Sequence, residues 1–239
     1  MGLCSSITVQ INPDNNDYIL GIIDPQNDFF QSGSLAVPNS NEIIEPINKL
    51  RYNISHKIKT FISLDTHPSN HISFASIHNK QLYTKIKLST IMENKDIVET
   101  EQILWPNHCI ENTHGQQIHQ YLITKPDDFK IKKGVFNYIE SYSAFGDKNG
   151  NKYENTGLNN LLKNIGCTNV ILVGLATDYC VYYTALDALK YGYKVHIILS
   201  CVRGVDKQTT IDAIEHMKSI GVYFYEDIDD FLLCNYYKN

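Results

Sequence analysis

Three side chains of different chemistry stand just beyond three short apolar runs. Cys180 follows the run at residues 170–173, which Gly174 closes, and precedes a segment where Val181, Thr184, Ala185 and Ala188 repeat with the period of one helix face. A cysteine in the opening turn of a helix meets unpaired backbone N–H groups and the positive end of the helix dipole, and both favour a thiolate. Asp24 directly follows the run YILGII, and Lys133 directly follows FKIK. A thiolate is a nucleophile, and an ammonium beside it lowers its pKa. A carboxylate can take the thiol proton, hand it to a leaving group and then activate water. Each residue alone has a plainer reading. Cys180 reads as a small buried hydrophobe, Asp24 as a turn residue, and Lys133 as a solvated charge like Lys132. Together they point to covalent hydrolysis.

A second set lies nearby in the predicted order. Asp65 and His67 are two apart after another apolar run, with Pro68 behind them, and His108 sits in WPNHC. Two imidazoles and a carboxylate suit Zn²⁺ or a similar ion and leave positions open for water or substrate. An isolated D-x-H is equally well a pair of satisfied loop residues.

These groups need a scaffold that delivers strand ends to one edge. Strand-like runs fall at 18–23, 59–64, 129–132, 170–173, 194–200 and 222–225, with amphipathic helical stretches at 42–52, 156–164, 181–191 and 206–220. Ile211, Ile214 and Met217 form the apolar face of the last of these. The alternation predicts an α/β fold: a doubly wound, mainly parallel six-stranded sheet with helices on both faces. In such sheets ligands bind outside the carboxyl ends of the strands. Residues 77–101 carry mixed charge and little period and read as an exposed excursion. No repeat or linker divides the chain, so residues 18–239 are expected to form a single domain behind a flexible segment, 1–17.

The chain has 239 residues, 43% of them hydrophobic, enough for one sizeable core. Its formal charge is −5 and no run is rich in Lys or Arg, so nucleic-acid binding has no electrostatic footprint. No apolar run approaches a membrane span. The six cysteines are scattered without CxxC spacing, which favours a reducing, cytoplasmic setting. Residues 1–6, MGLCSS, fit the N-myristoylation pattern at Gly2, and Cys4 is placed for palmitoylation. Two acyl chains would tether the protein to a membrane where one would not.

DPQNDF at 24–29, DTHPSNHISF at 65–74, LWPNHC at 104–109, KG at 133–134, SYSAF at 141–145 and GLATDYCVYYTALDA at 174–188 resemble, in order, the nicotinamidase/pyrazinamidase family of isochorismatase-like hydrolases. The resemblance implies a three-layer α/β/α fold and hydrolysis of nicotinamide to nicotinate and ammonia in NAD salvage, with pyrazinamide as a further substrate. It implies a catalytic triad of Asp24, Lys133 and Cys180, with Ala176 and Cys180 giving oxyanion-holding N–H groups after a cis peptide at Leu175–Ala176. Asp65, His67 and His108 match the ligands of one divalent metal ion, Zn²⁺ before Fe²⁺ or Mn²⁺, and His71 is a candidate extra ligand. Phe29, Trp105, Tyr142 and Ala176 match the substrate-binding walls. Three positions depart from the family pattern: Pro25 for a larger apolar residue, Thr66 for a tryptophan, and Asn112 for a frequent glycine. Thr66 is expected to alter pocket polarity. The sequence leaves the chain free to act alone or as a homo-oligomer. The competing readings are a sister hydrolase for another small amide, a tethered binding protein, and a redox-sensing thiol, the last weakened by the lack of a nearby resolving cysteine.

Overall fold

Strand β1 (Tyr18–Ile23) is buried along its whole length, as an unbroken apolar run must be when both faces of its sheet are covered. The computed structural model describes residues 17–54, 58–91, 95–147 and 152–235; the acylation pattern at Gly2 and Cys4 lies outside them. β2 (Lys59–Asp65), β5 (Phe129–Lys133), β6 (Asn169–Leu175), β7 (Lys194–Arg203) and β8 (Tyr223–Tyr225) join β1 in one sheet, ordered β5-β2-β1-β6-β7-β8 with every pairing parallel.

Side-chain alternation divides the core in two. Leu20 and Ile22 of β1 and Ile171 and Val173 of β6 pack with Ile47 and Leu50 of α1 (Ile44–Ile54) and Phe231 of α6 (Ile228–Asn235). Ile19, Ile23, Val170 and Leu172 point the other way, onto Leu158 of α3 (Leu158–Asn164), Ala185 of α4 (Tyr182–Lys190) and Met217 of α5 (Lys207–Ser219). This is the doubly wound arrangement the sequence predicts. The chain winds outward from β1 in one direction through β2 to β5 and from β6 in the other through β7 to β8. The switch point, where open α/β sheets bind ligands, therefore lies between the ends of β1 and β6.

Local chemistry sets the helix starts. Asp206 caps α5 by accepting from the backbone N–H groups of Gln208 and Thr209. The Thr156 hydroxyl accepts from Leu158 N at 3.2 Å. Ile211 is a correction: it is exposed, and Ala213 and Met217 are the buried residues of α5. Residues 77–101 also differ from the expected excursion. After the short helix α2 (Ala75–His78), β3 (Lys85–Ile91) and β4 (Ile97–Ile103) form an antiparallel hairpin apart from the main sheet. α6, in the tail after β8, has no counterpart in the sequence reading.

Candidate active site

Asp24, Lys133 and Cys180 come from the ends of β1, β5 and the turn after β6, and the sheet brings them together. Lys133 Nζ lies 2.9 Å from Asp24 Oδ2 and 3.4 Å from Cys180 Sγ. The lysine is fully buried, unlike its neighbour Lys132, which reaches outward to Glu111. The Asp24 backbone is left-handed, with φ +45, a conformation aspartate tolerates better than most residues. Ser63 fixes its carboxylate, donating to Oδ1 at 2.6 Å. Cys180 lies in a π-helical turn (Thr177–Val181) that precedes α4, and the Leu175–Ala176 peptide is cis.

Electrostatics in this triad are dominated by burial. Burial pushes the Cys180 thiol well above its usual value; the Lys133 ammonium opposes the rise and Asp24 adds to it. The thiolate expected from the helix opening is thus corrected to a thiol at rest, because a charged sulfur loses its hydration here. Burial also raises the Asp24 carboxyl, against Lys133 and Ser63. A base of raised pKa beside a protonated thiol is the arrangement that proton transfer during attack requires.

Lys133 also lies 2.5 Å from Asp65 Oδ1, so one ammonium bridges both carboxylates. Burial raises Asp65, but Lys133, His67 and His108 outweigh it and hold the group ionised. His67 donates from Nδ1 to the Gly134 carbonyl at 2.9 Å, and His108 from Nδ1 to the Pro106 carbonyl at 2.8 Å. A carbonyl can only accept, so both rings carry a proton on Nδ1, and each ring in its neutral form presents its Nε2 lone pair. Those lone pairs lie 3.6 and 3.8 Å from Asp65 Oδ2. His67 Nε2 is buried and has no hydrogen-bond partner. An orphaned imidazole nitrogen, a second one facing it and a carboxylate fit a divalent cation. Gly134 completes the cradle: a Cβ there would meet the His67 ring at 2.4 Å, and its φ of +63 favours glycine as well.

His71 stacks on His67 with ring centroids 4.0 Å apart. Its Nδ1 contacts Ser73 Oγ at 2.8 Å and its Nε2 the Ile139 carbonyl at 3.1 Å, so both nitrogens already have protein partners.

In front of these groups lies a cavity lined by Phe29, Trp105, Tyr142, Ala176 and Cys180, with Asp65 and His108 on its wall. Phe29 packs tilted against His108 with ring centroids 5.5 Å apart, and Trp105 lies edge-on to Tyr179 at 4.9 Å. Thr66, expected to tune the pocket, does not line it: its hydroxyl donates to Leu64 O and accepts from Gln116. Asn112 has φ +64, the conformation glycine adopts freely and asparagine tolerates.

Several residues escaped the sequence reading. Gln26, two after Asp24, pairs with both backbone groups of Asp65. Buried Glu140 lines the cavity, and Glu154 accepts from Gly134 N, Val135 N and Ser141 Oγ. Gln102, from β4, reaches Tyr142. Ser63 had one signal, a lone hydroxyl inside an apolar strand; the others carried none.

The isochorismatase domain model matches residues 18–226. The nicotinamidase of Escherichia coli is 38% identical over 207 residues, 85% of this chain and 92% of that one. A nicotinamidase/pyrazinamidase structure from Acinetobacter baumanii superposes with a TM-score of 0.80 at 36% identity, covering 91% of this chain and 99% of its own. The Pyrococcus horikoshii pyrazinamidase in complex with zinc superposes with a TM-score of 0.71 at 30% identity, covering 87% and 98%.

Proposed function

The chain belongs to the nicotinamidase family of isochorismatase-like hydrolases, and from that premise we propose that it hydrolyses nicotinamide to nicotinate and ammonia, feeding NAD salvage, through a thioester on Cys180. The observation that carries this reading is the contact of one buried ammonium, Lys133, with both Asp24 and Cys180 at the sheet's switch point.

Cys180 Sγ attacks the carboxamide carbon as Asp24 takes the thiol proton. The backbone N–H groups of Ala176 and Cys180 hold the oxygen that becomes negative. Asp24 returns its proton to the departing nitrogen, which leaves as ammonia and closes the thioester. Asp24 then draws a proton from water as that water attacks the thioester, releasing nicotinate and the Cys180 thiol. Lys133 keeps Asp24 oriented and offsets negative charge as it forms on sulfur. Phe29 and Trp105 hold the ring between apolar walls, so the carboxamide meets sulfur at a fixed angle.

Asp65, His67 and His108 would hold one divalent ion, which when bound supplies a Lewis-acidic anchor for the pyridine nitrogen. Zinc is the proposed metal, and Fe²⁺ or Mn²⁺ suit the same nitrogen and oxygen donors. His71 would join as a ligand only by giving up one of its two protein partners. Pyrazinamide, which keeps a ring nitrogen beside a carboxamide, is proposed as a second substrate.

The deciding experiment is ammonia release from nicotinamide by the purified protein, with and without chelator, beside Cys180→Ala. Turnover that vanishes in Cys180→Ala supports the reading, and turnover that survives sinks it. Acylation at Gly2 and Cys4 is proposed separately and would show as added mass on the N-terminal peptide. No helix among the described residues is long and apolar enough to cross a membrane.

A further inference from the structure

The hairpin β3–β4 reaches the active site through one buried side chain. Gln102 is 1% exposed. Its Nε2 donates to the Ile103 carbonyl at 2.7 Å and lies 3.1 Å from Tyr142 Oη. A carbonyl can only accept, so the contact with Ile103 fixes which end of the amide is nitrogen. Trp105 Nε1, which can only donate, lies 2.9 Å from the same phenol oxygen. Tyr142 Oη therefore accepts two hydrogen bonds, which uses up its lone pairs. Its own proton has to be donated elsewhere, and no protein group among the described residues receives it. Tyr142 lines the cavity beside Cys180 and Ala176.

We propose that Gln102 and Trp105 polarise Tyr142 so that its O–H is directed into the pocket as a hydrogen-bond donor to the bound aromatic carboxamide, making Gln102 a positioning residue and Tyr142 a determinant of substrate specificity. The inference rests on the proposed amidase activity and deepens it. The hairpin then has a definite role: it supplies the second donor that sets the direction of one proton. A pocket wall of bare aromatic surface would accept any flat ring. This one selects a ring whose carboxamide presents a lone pair to Tyr142.

Gln102→Glu tests the direction of the bond. The replacement has the same shape but offers an oxygen where Nε2 stood, so the Tyr142 proton turns toward residue 102 and away from the pocket. The expected result is a KM for nicotinamide raised about three- to tenfold, the range of one neutral hydrogen bond, with kcat within about twofold. Tyr142→Phe is expected to raise KM by a similar factor, and the double variant by no more than the larger single effect. Gln102→Met, which removes the donor without offering an acceptor, should raise KM less than Gln102→Glu. A Gln102→Glu enzyme with wild-type KM, additive effects in the double variant, or a Gln102→Met effect as large as that of Gln102→Glu would each overturn the proposal. Should Gln102→Glu fail to fold, nicotinate binding by Cys180→Ala against Cys180→Ala/Tyr142→Phe takes its place, and equal affinity overturns the proposal. Wild-type protein inactive on nicotinamide would instead defeat the amidase reading itself.

Discussion

Gln26 clasps Asp65 at both of its backbone groups: the side-chain amide donates to Asp65 O and accepts from Asp65 N, each at 2.7 Å. The clasp ties the end of β1, which carries Asp24, to the end of β2, which carries a candidate metal ligand. Gln26→Leu leaves two buried backbone groups unpaired, at about 1–3 kcal/mol each. Urea unfolding should show that loss, and metal retained after dialysis should fall with it. Stability within 0.5 kcal/mol of wild type, about the scatter of a neutral surface change, would mean that the clasp is dispensable.

Cys180→Ala and Asp24→Asn remove the proposed nucleophile and the proposed proton carrier. Each is expected to lower kcat by about 10⁴-fold or more, and the double variant should be no worse than the poorer single one, since members of such a unit are not additive. Intact-mass measurement during turnover should find an acyl adduct on the wild type and none on Cys180→Ala.

Lys133→Met strips the counter-ion from two buried carboxylates. Breaking a buried pair in this way costs about 3–5 kcal/mol. Adding Asp24→Asn should return part of that stability without returning activity. Thermal unfolding of the three proteins checks the order: wild type highest, the double variant between, Lys133→Met lowest.

The metal cradle predicts a graded series. His67→Ala removes a ligand outright and should lower bound metal, read by elemental analysis, to background. Gly134→Ala presses a methyl group against the same ring and strains a left-handed backbone, so metal affinity should drop while Asp65 and His108 stay in place. A Gly134→Ala protein that holds metal like the wild type would show the ring free to shift.

Far from this site, His196 sets an acid limit. Its Nε2 contacts Asn169 Oδ1 and its Nδ1 Tyr225 Oη, both at 3.1 Å, a pattern that fits the neutral ring, and burial lowers its pKa to about 3. Unfolded, the ring titrates near 6.5. Between these values the unfolded state binds the extra proton, so stability is full above about pH 6.5 and lost as pH falls toward 3. The slope is at most about 1.4 kcal/mol per pH unit from this residue. Chemical denaturation from pH 7 to 4 should show a weaker decline in His196→Gln.

The main sheet was legible because most of its strands are apolar runs, and Asp24, Lys133 and Cys180, the expected site residues, stand just past three strand ends that the structure brings together. The hairpin was not. Its inward face meets loops instead of a helix layer, so Thr100 and Gln102 occupy positions a core strand would give to valine, and the two-residue period dissolves into polar residues. Glu140 and Glu154 were hidden for another reason. Glu154 matters through the distant backbone N–H groups of Gly134 and Val135 that reach it, and Glu140 through its place on the cavity wall; spacing along a chain encodes neither. The upward push on the Cys180 thiol comes from burial, which a helix-opening position alone does not reveal.

Because Lys133 touches Asp24 and Asp65 at once, the proposed catalytic half and the proposed metal-ligand half of the site share a single counter-ion. They cannot be tuned separately. Whatever draws negative charge away from Asp65 frees the ammonium to favour Asp24 and Cys180, and by reciprocity the proton state of Asp24 must feed back on cation affinity by the same factor. A single lysine thus makes proton inventory and cation occupancy two readings of one equilibrium.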